Sequence, residues 1–387
     1  MQDIAIAGVG STRFGKHEGI GPLALAAQAA RQALLESGIE RARIGAVYLG
    51  NFVGGVLSGQ EVLAGLLADA LGLPQVPCTK VEGACASGGI AFRHACLAVA
   101  SGACDAALAV GVEKMTHAST AEVTSALNCA MDNASDGLSG LTYPGLFALA
   151  WREYGAATGA TRAQLSAVVR KNKANGLKNP LAQMGALLGD DEIRQAPLIA
   201  DPLTLFDCCP VSDGAAALVV TRAGLARASG QQPVRVLAVA QTRGAARIAG
   251  HPSLRSFEAT TAAAAQACAT AGVAPDEVDV VELHDCFSPA EIIDSEDLGV
   301  VPRGQGAAWA GEGRTAVDGS VAINPSGGLL AKGHPVGATG LGQVYEIVQQ
   351  LRGLHPNQVK GARLGMTHNL GGTGVACTVS LLRALEA

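Results

Sequence analysis

The sequence has few aromatic residues and no long apolar run. Only 3% of its 387 residues are Phe, Trp or Tyr, although 49% are hydrophobic. The core must therefore be built from Ala, Val, Leu and Ile, which suits helices packed on parallel strands. No apolar run reaches the roughly 20 residues that span a bilayer. The chain begins MQDIAIAGVG, which has the pattern of a strand and not of a signal peptide. We therefore predict a cytoplasmic protein without a membrane partner.

Charge of one sign and regular cysteine spacing are also lacking. The net charge is −5 without a long run of like charge, so the chain offers nucleic acid no basic surface. Ten cysteines are spaced irregularly and form no CxxC pair, which excludes a disulfide-stapled scaffold and gives no sign of a zinc site. We expect a reduced protein that acts on a small molecule, with no nucleic acid and no metal.

Glycine, in contrast, is abundant, and strand and helix patterns alternate along the chain. Fifty glycines without a fixed period indicate many tight turns. Residues 4–10 have the composition of a buried strand, and residues 22–37 follow with helical spacing of their apolar side chains. The alternation continues to residue 112. It predicts an α/β fold.

The chain is long for one hydrophobic core, and its pattern of apolar and polar residues changes twice. From about residue 116 to 203, polar helices replace apolar strands, and one of these helices opens with the capping box Thr161–Gln164. Strand character resumes at residues 214–220. We therefore predict three parts, namely an N-terminal half (1–118, completed by 204–233), an inserted loop domain (119–203) and a similar C-terminal half (234–387).

The first candidate for chemistry is Cys85, within the run VEGACASGG. Its small neighbours leave room for a substrate, and an Ala-rich helix is predicted to follow over residues 91–102. Unpaired N–H groups and the positive end of a helix dipole favour thiolate, so we predict a lowered pKa and a nucleophile. The alternative is a buried structural cysteine, which is the commoner role of this residue type.

Further candidates lie in the second half. His284 and Cys286 belong to the run HDCF, directly after the buried strand predicted at residues 278–283. Ligands bind at such strand ends in α/β folds. His334 stands in NPSGGLLAKGHPVGATG, whose glycines and prolines specify the backbone more tightly than a linker would. The glycine-rich run at residues 368–374 could present backbone N–H groups to an oxyanion.

These stretches together resemble the thiolase superfamily, most closely its sterol-carrier-protein-type branch, over nearly the whole chain. The motifs that carry the resemblance are VEGACASGG around Cys85, GVEKM at 111–115, DCCPVSDGAA at 207–216, HDCF at 284–287 and NPSGGLLAKGHPVGATG at 324–340. The resemblance implies a five-layered α-β-α-β-α fold of two similar halves with an inserted loop domain. It also implies a homodimer or homotetramer.

The resemblance implies a role for each candidate. Cys85 would attack the thioester and carry the acyl group, and His334 would activate the thiol. Most thiolases have a second cysteine in a C-terminal CxG motif, but the matching residues here read NLG. In the sterol-carrier-type branch the second cysteine comes from the HDCF motif, so Cys286 would move the substrate α-proton. His284, in place of the asparagine of the usual NEAF motif, would polarise the carbonyl oxygen. Backbone N–H groups of Cys85 and Gly371 would form the second oxyanion hole.

The implied activity is reversible thiolysis of a 3-oxoacyl-CoA, with CoA as substrate or product and no bound cofactor. Two alternatives stay open, which are acyl transfer to a non-CoA or aromatic acceptor and an auxiliary subunit of a larger complex. Branch relatives work with a small zinc-containing OB-fold companion, so such a partner is a further expectation. The basic segment Arg170–Lys173 is either a solvated face or a contact for CoA phosphates.

Overall fold

The computed structural model describes residues 4–228 and 232–385. The strands are β1 (Ile4–Ser11), β2 (Ile44–Gly50), β3 (Cys78–Val81), β4 (Ala106–Glu113), β5 (Leu198–Ala200), β6 (Leu203–Thr204), β7 (Gly214–Arg222), β8 (Val234–Thr242), β9 (Val280–Glu282), β10 (Ala322–Ile323), β11 (Leu364–Gly371) and β12 (Ala376–Ala384).

The helices alternate with these strands. They are α1 (Pro22–Ser37), α2 (Gly54–Leu57), α3 (Leu63–Leu71), α4 (Ser87–Ala100), α5 (Thr120–Asn128), α6 (Tyr143–Thr158), α7 (Arg162–Lys178), α8 (Asp190–Gln195), α9 (Ala223–Ala228), α10 (Glu258–Ala271), α11 (Ser288–Asp297), α12 (Gly306–Gly311), α13 (Gly328–Lys332) and α14 (Thr339–Leu351). Within the described residues, none of them is both long and apolar enough to cross a membrane.

Ten strands form one sheet in the order β10-β9-β11-β12-β8-β1-β7-β4-β2-β3. It consists of two sets of five strands, which meet where β1 pairs with β8 at Ala5–Arg235 and Ile6–Val234. With the strands of each set numbered along the chain, both sets have the spatial order 3-2-4-5-1. The second strand is parallel to the third and fourth, and the fifth is antiparallel to its neighbours, in both sets. This shared topology accounts for the similar cadence of the two halves of the sequence.

Helices cover both sets of strands. α1 and α3 pack on the outer face of the first set, and α10 packs on the second. α4 and α14 lie between the two sets and contact strands of both. β1, β4 and β11 are buried over their whole length, as expected when both faces of a sheet are covered. The five-layered α/β fold predicted from the sequence is therefore confirmed.

One glycine brings the middle layer close to the second half. A Cβ on Gly88, in the first turn of α4, would lie 2.8 Å from the carbonyl oxygen of Gly337. Because real Cβ atoms almost never come so close to an oxygen, only glycine permits this contact. The N-terminus of α4 thereby touches the loop that carries His334.

The helices α5–α8 lie between β4 and β7, and two lysines of α7 point inward. Lys173 Nζ donates to the carbonyl oxygen of Leu330 at 2.6 Å, and burial lowers its pKa to about 8. Lys171 Nζ lies 3.0 Å from a carboxylate oxygen of Glu291. These two lysines are therefore neither a solvated face nor a contact for CoA phosphates, because they hold the second half against the inserted segment. The predicted boundaries at residues 118, 203 and 233 stay predictions.

Candidate active site

Cys85 lies on a tight turn between β3 and α4. Residues Ala84–Ala86 form one turn of 3₁₀ helix, and Ala84 has φ 49°, a left-handed value that residues with a Cβ rarely adopt. Ser87 braces the turn, since its Oγ donates to the carbonyl oxygen of Ala84 at 2.6 Å and accepts from Gly83 N–H at 3.0 Å. Such strain costs about 1–3 kcal/mol and persists where the surroundings impose it. The turn therefore fixes the thiol at the N-terminus of α4.

Burial decides the protonation state of Cys85. It raises the pKa of the thiol to about 12, although the backbone N–H groups of Gly372 and of Cys85 itself lower it. The prediction of a lowered pKa is therefore wrong. A helix N-terminus contributes about 0.3–1 kcal/mol at an exposed site, which is less than the cost of removing a thiolate from water. Cys85 is therefore a thiol at rest, and the nucleophile role predicted for it would require a base.

His334 has the tautomer that such a base requires. Its Nδ1 lies 2.7 Å from Thr339 Oγ1, and that hydroxyl donates its single proton to the carbonyl oxygen of Pro335 at 3.0 Å. Thr339 can therefore only accept from His334, so Nδ1 carries the proton and Nε2 is free. Burial lowers the pKa of His334 to about 3, which keeps the ring neutral. Nε2 thus keeps a free lone pair, and the role of His334 as the base for Cys85 stays a prediction.

His284 has the opposite tautomer. Its ring stands edge-on to that of His334, with the ring centres 4.9 Å apart. The Asn369 amide nitrogen lies 3.3 Å from His284 Nδ1, and the same nitrogen donates to Gln343 Oε1 at 2.7 Å. With the Asn369 amide in this orientation, Nδ1 of His284 is an acceptor and Nε2 carries the proton. Burial and the neighbouring His334 hold the pKa of His284 well below its usual range. The ring is a neutral N–H donor, which suits an oxyanion hole.

Cys286 faces a further thiol that the sequence analysis did not single out. Cys209 N–H donates to the carbonyl oxygen of Cys286 at 3.0 Å, and the adjacent Cys208 and Phe287 form an antiparallel bridge. Burial raises the pKa of Cys286 well above its ordinary value. Cys286 is thus a protonated thiol at rest. Cys209 could have been found from the sequence, because it lies in the motif DCCPVSDGAA.

The predicted side chains meet at one small cavity of about 80 Å³. Its lining residues are Phe52, Cys85, Leu127, Ala130, Tyr143, Phe147, Cys209, His284, Cys286, Phe287, His334, Leu370 and Gly372. One ligating atom each from Cys85, His284 and His334 lies within 4.8 Å of the other two. This closeness suits proton transfer, and the same three atoms are of the types that hold zinc. The structure thus brings all four predicted catalytic side chains together.

Gly371 lies one residue away from the N–H group that reaches the thiol. A Cβ on Gly371 would be 2.3 Å from the carbonyl oxygen of Gly83, so glycine lets the end of β11 approach the Cys85 turn. The N–H that donates toward the sulfur belongs to Gly372, which also lines the cavity. The role of Gly371 as an oxyanion donor stays a prediction. The sequence analysis did not single out Gly372.

Asp285 ties the two second-half motifs to each other. Its carboxylate accepts from the backbone N–H groups of Leu329 and Leu330 at 2.7 and 3.3 Å. These residues lie in α13, just before His334, whereas Asp285 stands between His284 and Cys286. One buried carboxylate therefore fixes the distance between the proposed base and the other two catalytic groups.

A buried thiol grouped with two neutral imidazoles is an arrangement that suits enzymes which transfer acyl groups through a covalent cysteine intermediate. Two family models assign the chain within that class. The thiolase N-terminal domain matches residues 4–224, and the thiolase C-terminal domain-like model matches residues 240–384. The chain belongs to the thiolase family.

Individual relatives agree with this assignment. The acetyl-CoA acetyltransferase of Methanothermobacter thermautotrophicus is 41% identical over 382 residues, which cover 98% of this chain and 99% of that protein. Sterol carrier protein 2 of Rattus norvegicus is 34% identical and covers 98% of this chain, with 72% of its own length matched. A solved structure named Ltp2-ChsH2(DUF35) aldolase has the same fold, with a TM-score of 0.84, 24% identity and coverage of 99% of this chain and 98% of that one. The protein is an acyl-CoA acyltransferase of the thiolase type.

Proposed function

We propose that the protein makes or breaks the carbon–carbon bond of a 3-oxoacyl-CoA through an acyl group carried on Cys85. The observation that supports this most directly is the grouping of Cys85, His284 and His334 within 4.8 Å, in a cavity that Cys286 also lines. The cavity thus holds a nucleophile, a base, an N–H donor and a second thiol. Thiolysis requires these four kinds of group.

In the cleavage half, Cys85 Sγ attacks the 3-keto carbon and His334 Nε2 takes the thiol proton. The bond between the second and third carbons breaks, and its electron pair forms the enolate of acetyl-CoA. His284 Nε2–H stabilises the enolate oxygen, and Cys286 donates its proton to the second carbon. Acetyl-CoA leaves. The acyl group stays on Cys85, with Cys286 as thiolate and His334 protonated.

In the second half, free CoA releases the acyl group. The Cys286 thiolate takes the proton of the CoA thiol, and the CoA sulfur attacks the acyl carbonyl. The N–H groups of Cys85 and Gly372 stabilise the tetrahedral oxyanion. Collapse expels the Cys85 sulfur, which regains its proton from His334. All four groups return to their starting protonation states, so the cycle runs in either direction without a bound cofactor.

We also propose a homo-oligomer that contacts a companion subunit. β3 is the edge of the sheet and pairs with β2 alone among the described strands, and an unpaired strand edge is a template for a second chain. The neighbour named Ltp2-ChsH2(DUF35) aldolase joins two protein names, which supports a companion such as the small zinc-containing OB-fold partner expected from the sequence. Size-exclusion chromatography with light scattering tests the first point, and co-purification tests the second.

A cytoplasmic location and a role in lipid metabolism complete the proposal. All ten cysteines are free, which suits a reducing compartment. Sterol carrier protein 2 is among the relatives, which supports lipid-derived acyl groups. Fractionation of the source cells checks the location.

The deciding experiment is the intact mass of the protein after incubation with acetyl-CoA, beside a Cys85→Ala variant. We expect the wild type to gain one acetyl group and the variant none, with thiolysis in the variant reduced by about 10³-fold or more. An adduct on Cys85→Ala would contradict the assignment of the nucleophile. No adduct with any acyl-CoA would favour the auxiliary-subunit alternative.

A further inference from the structure

Tyr143 places a hydroxyl group beside the catalytic thiols, and neither the sequence motifs nor the mechanism uses it. It is the first residue of α6, in the inserted segment. Its side chain lines both the catalytic cavity and an adjoining groove of about 190 Å³. The titratable neighbours that raise its pKa are led by Cys85 and Cys286, after the effect of burial itself. Tyr143 therefore lies at the junction of the catalytic cavity and the groove.

The Tyr143 hydroxyl is buried and has no hydrogen-bond partner within the described part of the chain. A buried hydroxyl without a partner destabilises the folded protein, so most such groups are paired. The other polar side chains of the lining are the thiols of Cys85, Cys209 and Cys286 and the imidazoles of His284 and His334. The free protein thus leaves an unused donor in its substrate cavity, and a bound ligand can supply the acceptor.

The two oxygens that react already have donors. His284 Nε2–H serves the enolate oxygen, and the N–H groups of Cys85 and Gly372 serve the tetrahedral intermediate. Tyr143 is thus a third donor, available to an oxygen elsewhere on the acyl group. A site built to hydrogen-bond such an oxygen discriminates strongly against analogues that lack it.

The lining also indicates the charge of that oxygen-bearing group. The described residues around the cavity include no lysine or arginine, and burial keeps both imidazoles neutral. A carboxylate in this cavity would be a buried charge without a partner, which is costly. A hydroxyl or keto oxygen needs only the donor that Tyr143 offers.

We propose that Tyr143 is a specificity-determining residue whose hydroxyl donates to a hydroxyl or keto oxygen of the acyl group. The preferred substrates are then uncharged acyl thioesters that carry an oxygen beyond the reacting carbonyls. This inference rests on the proposed acyl-Cys85 intermediate.

The test compares matched acyl-CoA substrates by the rate at which each acylates Cys85, and intact-protein mass measures that rate. The pair is butyryl-CoA and 3-hydroxybutyryl-CoA, which differ by one oxygen, with succinyl-CoA as the charged arm. We expect the wild type to favour the hydroxy compound over butyryl-CoA by about 10-fold or more, and Tyr143→Phe to lose that preference. Loading of both without preference overturns the inference and leaves the proposed function standing. Fastest loading of succinyl-CoA also overturns it. Failure of every donor sinks the proposed function and this inference with it.

Thermal unfolding separates a substrate contact from a structural one. Because the hydroxyl has no partner in the free protein, Tyr143→Phe should leave Tm unchanged or raise it by about 1–3 °C. Tyr154 of the same helix is the matched control, since its hydroxyl donates to Glu296 Oε1 at 2.5 Å and accepts from Ala307 N–H at 3.4 Å. Tyr154→Phe should lower Tm and keep the acyl preference. A fall in Tm for Tyr143→Phe as large as that of Tyr154→Phe would show a structural partner and overturn the inference.

Discussion

The two halves have the same strand order but use corresponding loops differently. After the third strand of each set the chain runs to a helix of the middle layer, from β3 to α4 in the first half and from β10 to α14 in the second. The first connection carries Cys85 and the longer second connection carries His334. The proposed nucleophile and its base therefore occupy corresponding places in a repeated topology, and they meet where the halves face each other.

The loops after the second and fourth strands show the contrast. In the second half they present His284 and Gly372 to the cavity. In the first half, Asn51 follows the second strand and Glu113 ends the fourth, and the two side chains bond to each other at 2.7 Å. Glu113 also accepts from the N–H of Gly337, in the loop that follows His334, at 3.1 Å. The second half thus supplies most of the proposed catalytic groups, and these two residues of the first half hold the loop after His334 in place. The shared topology sets where the loops lie, and the side chains on each loop set what it does.

The largest predicted effect is that of Cys286→Ala, which should affect thiolysis more than the acylation of Cys85. Cys286→Ala should lower thiolysis of acetoacetyl-CoA by about 10³-fold, because a general acid or base typically contributes about 10²–10⁴-fold. Acyl loading of Cys85 from a simple acyl-CoA should slow by a smaller factor, because there Cys286 protonates only the departing CoA sulfur, which is a much weaker base than a carbanion. Steady-state thiolysis and intact mass measure the two effects. An equal loss of both activities would show that Cys286 supports the fold or the nucleophile instead.

A smaller effect is expected at His284, with a matched pair of variants. His284→Ala removes the proposed enolate donor and should cost about 10²-fold in kcat. His284→Asn keeps an N–H donor and places there the residue that the usual thiolase motif has, so it should recover at least part of that loss. Equal activity of the two variants would contradict the donor role. Their kcat and KM values for acetoacetyl-CoA provide the measurement.

Thr339→Val should have an effect of about 10-fold on the loading step. The valine cannot accept from Nδ1, so His334 loses the bond that fixes its tautomer, and groups that orient a functional imidazole in this way typically contribute about 10–100-fold. Stopped-flow loading of Cys85 measures it, with Thr339→Ser as the control because serine keeps the hydroxyl. A serine variant as slow as the valine variant would point to packing as the cause.

The smallest predicted effect concerns Glu113, the first-half residue that bonds to the loop after His334. Burial raises the pKa of Glu113 to about 7 from 4.5. A carboxyl group with a raised folded-state pKa contributes stability that is complete below pH 4.5 and lost as pH rises through about 7, up to about 3 kcal/mol. Glu113→Gln lacks this titration, so its free energy of unfolding should vary less over that range than that of the wild type. Denaturant unfolding at several pH values checks this. An unchanged pH dependence would place the titration elsewhere.

Local sequence patterns predicted much of the fold. The helix expected over residues 22–37 was found with those bounds. The helix predicted at 91–102 instead begins at Ser87, since its first turn contains Gly88 and Gly89, which are poor helix formers in isolation. Close packing against the second half compensates for that preference. Contacts of this kind come from distant parts of the chain and leave no local pattern.

The candidate site was predicted in its membership but not in its chemistry. Motifs and strand-end positions identified Cys85, His284, Cys286 and His334 from the printed residues. The predicted protonation state of the Cys85 thiol was wrong, because the pKa of this thiol depends on how far the fold excludes water from it. Tyr143 was not singled out, because a lone tyrosine at the start of an apolar helix has no sequence signal that separates a cavity-lining residue from a core residue.

The amino-acid sequence by itself therefore determined the α/β class, the repeated cadence and the residues able to do chemistry, because periodicity and motifs are local properties. Only the tertiary structure decided which protons those residues carry. His284 takes its tautomer from Asn369, and Cys85 takes its high pKa from burial between the two halves. Protonation depends on hydrogen-bond partners and solvent exclusion, and both exist only once remote segments have packed together.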